Sequence, residues 1–290
     1  MFERIGRGWG IAKASWAVVK LHPKLLLLPV FSGLAFVALM AVIGLSVLAG
    51  LGSDTVTHFV EDKKLGAPVG WALLFVFYFA CTYIIIFFNA ALVFCALQGF
   101  AGKEPSLRAG IATAAGRWPQ ILAWALVAAT VGLILNALQS FLKDKLGFIG
   151  ALLGGIAETA WAVITFFVVP VIVVDGTGPV EAVRRSSAIL KRTWGEAIGG
   201  EGGLGLVAAL FYLPIALLFA LFAYGGAQHV VGPAGTVALI ALVALYVVVL
   251  VVVFTALGTI FRAGTYVYAT TGKAPSHMDP ALLQGTFRKK

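Results

Sequence analysis

The stretch "GFIGALLGGIAETAWAVITFFVVPVIVV", residues 147–174, contains one charged side chain, that of Glu158, among residues that are otherwise almost all apolar or small. A helix of about 20 apolar residues is long enough to cross the hydrocarbon layer of a bilayer. Residues 147–174 therefore predict a membrane-spanning helix. They also raise the question of what holds a carboxyl group inside it, because an unpaired charge in lipid is costly.

The composition extends this prediction to the whole chain. Of its 290 residues, 61% are hydrophobic and 11% are charged, whereas about a quarter of the residues of a soluble domain are charged. The apolar runs predict an all-α, polytopic membrane protein that forms a single integral membrane domain over residues 1–290. The predicted parts are an interfacial helix at 1–22, six spans at about 25–50, 69–98, 119–140, 147–174, 198–224 and 234–262, and a cytoplasmic tail at 263–290.

The distribution of basic residues predicts the orientation of the spans. Seventeen Lys and Arg residues lie on the side of the two chain ends, and four lie on the other side. By the positive-inside rule, both termini are expected in the cytoplasm, with the chain in the cytoplasmic (inner) membrane. The net charge of +9 then predicts contact with anionic headgroups, and no nucleic-acid partner is needed to explain it.

Three segments before the odd-numbered spans predict amphipathic helices that lie along the cytoplasmic leaflet. In the first, apolar residues recur every three or four positions, which is a helical stripe; its members are Phe2, Ile5, Trp9, Ala12, Trp16 and Val19. Each segment ends in an aromatic ring followed by Pro or Gly, at His22, Trp118 and Trp194. We interpret this as three parallel repeats, each a surface helix plus a hairpin; a chance likeness is the alternative. The predicted lipid-interface anchors are Trp9, Trp16, Trp118 and Trp194.

Glu158 and three amides, Asn89, Asn136 and Gln139, form the candidate intramembrane polar site. One hypothesis makes Glu158 a neutral carboxyl bonded to Asn136, Gln139 or a backbone carbonyl, which would tie spans 3 and 4 together; the other makes it part of a proton or cation relay. Small residues spaced by four allow close helix approach, so Gly150 and Gly154 are expected to face span 3. Pro170 and Pro214 are expected to kink spans 4 and 5.

The segment "FFVVPVIVVDGTGPVEAVRRSSAILKRTWGEAIG", residues 166–199, resembles a pattern found in a loose group of multi-pass bacterial membrane proteins. The group includes uncharacterised families and, more distantly, YciC-type inner-membrane proteins and the membrane domain of some glycerophosphodiester phosphodiesterases. The resemblance implies a six-span protein of envelope or lipid homeostasis. It does not extend to phosphodiesterase activity, because no soluble catalytic domain follows the spans. The motif residues are Pro170, Asp175, Gly178, Glu181, Arg184, Arg185 and Trp194.

Asp175 is expected to pair with Arg184 or Arg185, either to fix the loop or as part of a headgroup or partner site. The four histidines lack metal-ligand spacing, and no nucleophile elbow or phosphate-binding loop occurs. We therefore predict a non-enzymatic protein without cofactor or metal that binds lipid or a membrane-protein partner. The alternatives are a small-solute or ion-coupled transporter that uses Glu158, and an accessory subunit of a lipid enzyme.

Overall fold

The computed structural model describes residues 2–48, 66–223, 228–275 and 278, and all regular structure in these ranges is helical. The chain divides into two compact units. Unit 1 comprises Met1–Leu26, Ala96–Pro105 and Arg192–Lys290, and unit 2 comprises Leu27–Cys95 and Ser106–Lys191. The predicted all-α class is confirmed for the described residues.

Local sequence signals explain several helix ends. The helices are α1 Phe2–Leu21, a 3₁₀ helix Pro23–Leu26, α2 Leu27–Leu48, α3 Gly66–Phe100, α4 Leu107–Gly116, α5 Trp118–Ile164, α6 Val168–Asp175, α7 Pro179–Ala223 and α8 Gln228–Thr271. The Ser106 hydroxyl caps α4 by accepting a hydrogen bond from the Ala109 N–H at 3.3 Å. Pro179 starts α7, a position where its missing N–H costs nothing.

Four stretches in the described part of the chain are long and apolar enough to cross a membrane. They are Pro23–Ser46, Gly70–Phe100, Trp118–Asp175 and Gly235–Thr271, and a shorter apolar helix covers Leu204–Phe219. The chain is therefore a helical membrane protein. Residues 49–65 and 224–227, which hold the predicted ends of spans 1 and 5, lie outside the described residues.

A hairpin within α5 joins the predicted spans 3 and 4. Gly147 breaks the helix with φ 58° and ψ −127°. After this break a methyl group on Gly150 would overlap the Leu142 carbonyl oxygen, and one on Gly154 would lie 2.6 Å from Cγ of Gln139. The two arms thus run against each other, and the predicted close approach at Gly150 and Gly154 is confirmed.

The predicted kinks are only partly present, and so are the predicted corners, meaning the turns at His22, Trp118 and Trp194 where a surface helix would lead into a span. Span 4 is interrupted at 165–167, so Pro170 lies in the first turn of α6, where a proline is tolerated. Pro214 lies inside α7. Helix breaks do occur at His22 and before Trp118, but α7 runs through Trp194 without one. A proline follows the ring at the first two corners, and a glycine follows it at the third. Glycine lowers helix stability by only about 1 kcal/mol relative to alanine, so the helix can continue through the third corner.

In unit 1 the first helix packs against the last. Buried residues of α1 contact α8 and the 3₁₀ helix; they are Ile11, Ala12, Ser15, Val18 and Val19. The C-terminal half of α8 is buried as well and runs nine residues past the predicted end at 262. Residues 263–271 are therefore not part of a tail, because Ala263 and Thr265 continue the buried face.

In unit 2 the core gathers around the short helix α6. Phe167, Val168 and Val171 are fully buried there, and Ile121 of α5 is buried too. The Trp124 and Trp161 rings, one on each arm of the α5 hairpin, stack with centroids 6.0 Å apart.

Candidate functional site

An apolar groove in unit 1, lined by three helices, is the candidate ligand site. One stripe of α1 forms its rim, with Trp9, Lys13, Trp16 and Lys20 at helical spacing. Ala12 and Ala17 of the same helix also line it. Because alanine side chains are short, they leave room between the larger residues of the rim.

The walls of the groove come from two long helices. Val207 and Phe211 of α7 face Leu250, Val253, Phe254 and Leu257 of α8, and the enclosed volume is about 570 Å³. The centroids of the Phe211 and Phe254 rings lie 5.6 Å apart. The Tyr246 hydroxyl donates a hydrogen bond of 3.0 Å to the Phe211 carbonyl oxygen, which joins the two walls.

The charged groups that line the groove are both cationic. Lys13 and Lys20 are exposed, and no residue lining the groove is acidic. The Lys13 ammonium lies 5.8 Å from the centre of the Trp9 ring, close enough for a cation–π contact. The groove therefore combines apolar walls with a positively charged rim, an arrangement that suits an amphipathic anion.

The three predicted interface anchors whose side chains the structure describes are all exposed. Trp9 and Trp16 are 46% and 37% exposed, and the face that α1 buries is centred on Ser15 and Val18 rather than on the predicted stripe. Trp118 is 55% exposed at the start of α5. The side chains of Phe2, Ile5 and Trp194 lie outside the described residues.

A cluster of ion pairs in unit 2 joins the end of α6 to the start of α7. Arg185 donates to Asp175 at 2.8 Å and to Glu181 at 2.9 Å, and Arg184 lies 2.9 Å from Glu181. Of the two arginines proposed as partners of Asp175, Arg185 makes the contact. Hydrogen bonds from Arg185 and then Arg184 hold the pKa of Glu181 below the ordinary glutamate value.

This lowered pKa predicts a pH-dependent contribution to stability. A carboxyl whose pKa is lower in the folded state stabilises the fold above its ordinary pKa and loses that effect as the pH falls through the folded pKa. Glu181→Gln should therefore lower the thermal midpoint slightly at neutral pH, and the difference should vanish on acidification. Thermal unfolding in detergent across the acid range measures it; Glu104→Gln, an exposed loop change, should show no such difference. A difference independent of pH would contradict the assignment.

Gly176, next to this cluster, brings α5 and α6 together. Its φ of 65° ends α6 in the left-handed region that favours glycine. The Arg117 guanidinium packs where a side chain on Gly176 would lie, and Gln120 donates a 3.3 Å hydrogen bond to the Gly176 carbonyl. Gly178 and Pro179 follow, so the motif residues form a structured corner before α7.

Ser186 lies within the segment 166–199 quoted above, and its role was not predicted from the sequence. It is fully buried; its hydroxyl donates to the Ile164 carbonyl at 2.7 Å and accepts from the Phe167 N–H at 3.0 Å. These two backbone groups lose their helical partners where the chain breaks at 165–167. Ser186 therefore bridges the gap between α5 and α6.

The intramembrane polar residues do not converge. Glu158 and Asn136 are exposed on the two arms of α5, and Gln139 is half-buried. No hydrogen bond between Glu158 and either amide occurs in the described structure, and the Gln139 aliphatic stem instead faces Gly154. Asn89 lies on α3 and has interactions of its own. Within the described ranges, no three His, Cys, Asp or Glu residues group as metal ligands.

The long apolar helices and the groove define a helical integral membrane protein, and comparison with known proteins refines this class. The chain belongs to DUF6159, a family of unknown function, whose family model matches residues 68–276. The match includes both walls of the groove, whereas α1 precedes it. No curated protein and no solved structure matches the chain, so the resemblance to YciC-type proteins and to the phosphodiesterase membrane domain stays a prediction.

Proposed function

We propose that this protein is a non-enzymatic, lipid-binding component of the bacterial inner membrane, and that the groove between α1, α7 and α8 is its binding site. The observation that carries the proposal is the groove itself. Its volume of about 570 Å³ falls within the roughly 300–1,000 Å³ of ligand pockets. An acyl chain would fit its apolar walls, since each buried CH₂ group contributes about 0.8 kcal/mol.

The proposed topology has six spans with both termini in the cytoplasm. The stretch Trp118–Asp175 has 58 residues and would be about 87 Å long as one helix, while a bilayer with its headgroups is about 40–45 Å thick. The break at Gly147 supports two crossings there. The repeat proposal is weaker because the third corner, at Trp194, lies inside a continuous helix.

The transport alternative is less favoured by the site geometry. A relay through Glu158 requires a water-filled path or further polar partners at that depth. Glu158 lies on an exposed face of its helix, and the groove in unit 1 does not include it. The role of an accessory subunit of a lipid enzyme remains compatible with lipid binding.

Filling the groove should abolish lipid retention. Ala17→Phe places a ring in the space between the larger α1 residues that line the groove, so the protein purified in mild detergent should lose the lipid that the wild-type chain retains by native mass spectrometry. The matched control is Ala72→Phe, at an exposed position on α3, which should keep the lipid. Equal retention by Ala17→Phe and the wild type, or no lipid on the wild type, would contradict the proposal.

A further inference from the structure

We infer that the groove selects an anionic glycerophospholipid, with the lipid phosphate between Lys13 and Lys20 and one acyl chain along the seam between α7 and α8. This inference rests on the proposed lipid-binding function and adds the class of lipid and its orientation. Two independent observations support it, one at the rim and one along the seam.

The rim carries the charge that recognises the headgroup. Lys13 and Lys20 are seven residues apart on α1, which is about 10 Å along the helix axis and nearly the same face. Their flexible four-carbon stems let both ammonium groups reach one phosphate between them. Trp16 lies between the two lysines, and an indole ring is typical of the headgroup level of a bilayer.

The seam provides a path for an acyl chain. A second, separate apolar cavity of about 560 Å³ lies further along the same two helices, lined by Pro214, Ile215 and Leu218 of α7 and by Leu242, Tyr246 and Val249 of α8, among others. From Leu257 in the groove to Leu242 the path follows α8 for 15 residues, about 22 Å. One leaflet of the hydrocarbon layer is about 15 Å thick, so the seam is long enough for one chain.

The seam is also open to the bilayer. Leu250 is buried in the groove, while its neighbours Val249 and Val251 are half exposed. A chain can therefore slide in sideways from the surrounding lipid without leaving an apolar environment. An extended peptide would bring backbone polar groups that find no partners in the apolar walls, and the two cations at the rim match an anionic headgroup, which favours lipid as the occupant.

The test compares lysine variants in nanodiscs of equal parts phosphatidylglycerol and phosphatidylcholine, followed by native mass spectrometry of the lipid that stays bound. The wild-type chain should retain phosphatidylglycerol over phosphatidylcholine by about thirtyfold, as expected for two lysines near an anionic group. The double variant Lys13→Gln/Lys20→Gln should still retain lipid but without this preference, and Lys13→Arg/Lys20→Arg should keep the preference.

The control is Lys24→Gln/Lys103→Gln, which removes two exposed lysines of unit 1 that do not line the groove. It should behave as the wild type. A preference that survives in Lys13→Gln/Lys20→Gln, or one that the control also loses, overturns the assignment of the headgroup site while lipid binding itself stands. If the wild-type chain retains no lipid of either kind, both the inference and the proposed function fail.

Discussion

Gly150→Ala should destabilise the protein by about 3 kcal/mol, the upper end of the cost of overpacking. The added methyl group would overlap the Leu142 carbonyl oxygen on the opposite arm of the α5 hairpin. A backbone atom cannot rotate away as a side chain can, so the two arms must separate. Separation also disturbs the Trp124–Trp161 stack. Reversible unfolding in mixed micelles, followed by far-UV circular dichroism, measures the change.

The matched control lies five residues further along the same helix. A methyl group on Gly155 would have no neighbouring atom within 4 Å, and alanine is a better helix former than glycine by about 0.5–1 kcal/mol. Gly155→Ala should therefore be neutral or slightly stabilising. Equal stabilities of the two variants would show that the arms do not approach at Gly150.

Ser186→Ala should lower the free energy of unfolding by about 2–4 kcal/mol. It leaves the Phe167 N–H and the Ile164 carbonyl without the partner they have now, and each buried polar group left unpaired costs about 1–3 kcal/mol. The same unfolding titration measures the loss. Hydrogen exchange gives a second readout, since the Phe167 amide should lose protection in the variant more than amides in the middle of α3.

Ser187 provides the control for this change. Its exposed hydroxyl donates a 2.8 Å hydrogen bond to the Arg184 carbonyl within the same helix. The free energy of unfolding of Ser187→Ala should therefore stay within about 0.5 kcal/mol of the wild-type value. If Ser186→Ala is equally mild and the Phe167 amide stays protected, the hydroxyl does not bridge the break.

The sequence predicted those features that depend on neighbouring residues in the chain. The apolar run at 147–174 indicated a membrane helix, and Gly150 and Gly154 indicated a close contact because glycine spacing is a local property. The break at 165–167 was not predicted, since Pro170 indicated a kink a few residues later instead. Ser186 was missed because a serine on an amphipathic helix usually faces water, and nothing nearby marks it as buried.

The groove depends on distant residues and could not be predicted. The pattern in α1 predicted Trp9 and Trp16 as lipid-interface anchors but did not show which face of the helix packs against the protein. In the fold, α8 packs against the flatter face around Ser15 and Val18, and the two large rings are left at the rim. A similar limit applies to Glu158: the hairpin packs the Gln139 stem against Gly154, so its amide is not offered to the carboxyl.

The contact between α1 and α8 also has a consequence for how the chain is made. About 240 residues separate the buried face of α1 from that of α8. At a synthesis rate of about 5–20 residues per second, the ribosome needs roughly 10–50 s to bridge that interval. During this time the buried face of α1 lacks α8 as a partner and has only the neighbouring 3₁₀ helix, so the membrane surface can cover its apolar residues. Helix α1 is thus translated long before α8 and reaches its final place only once α8 has been made.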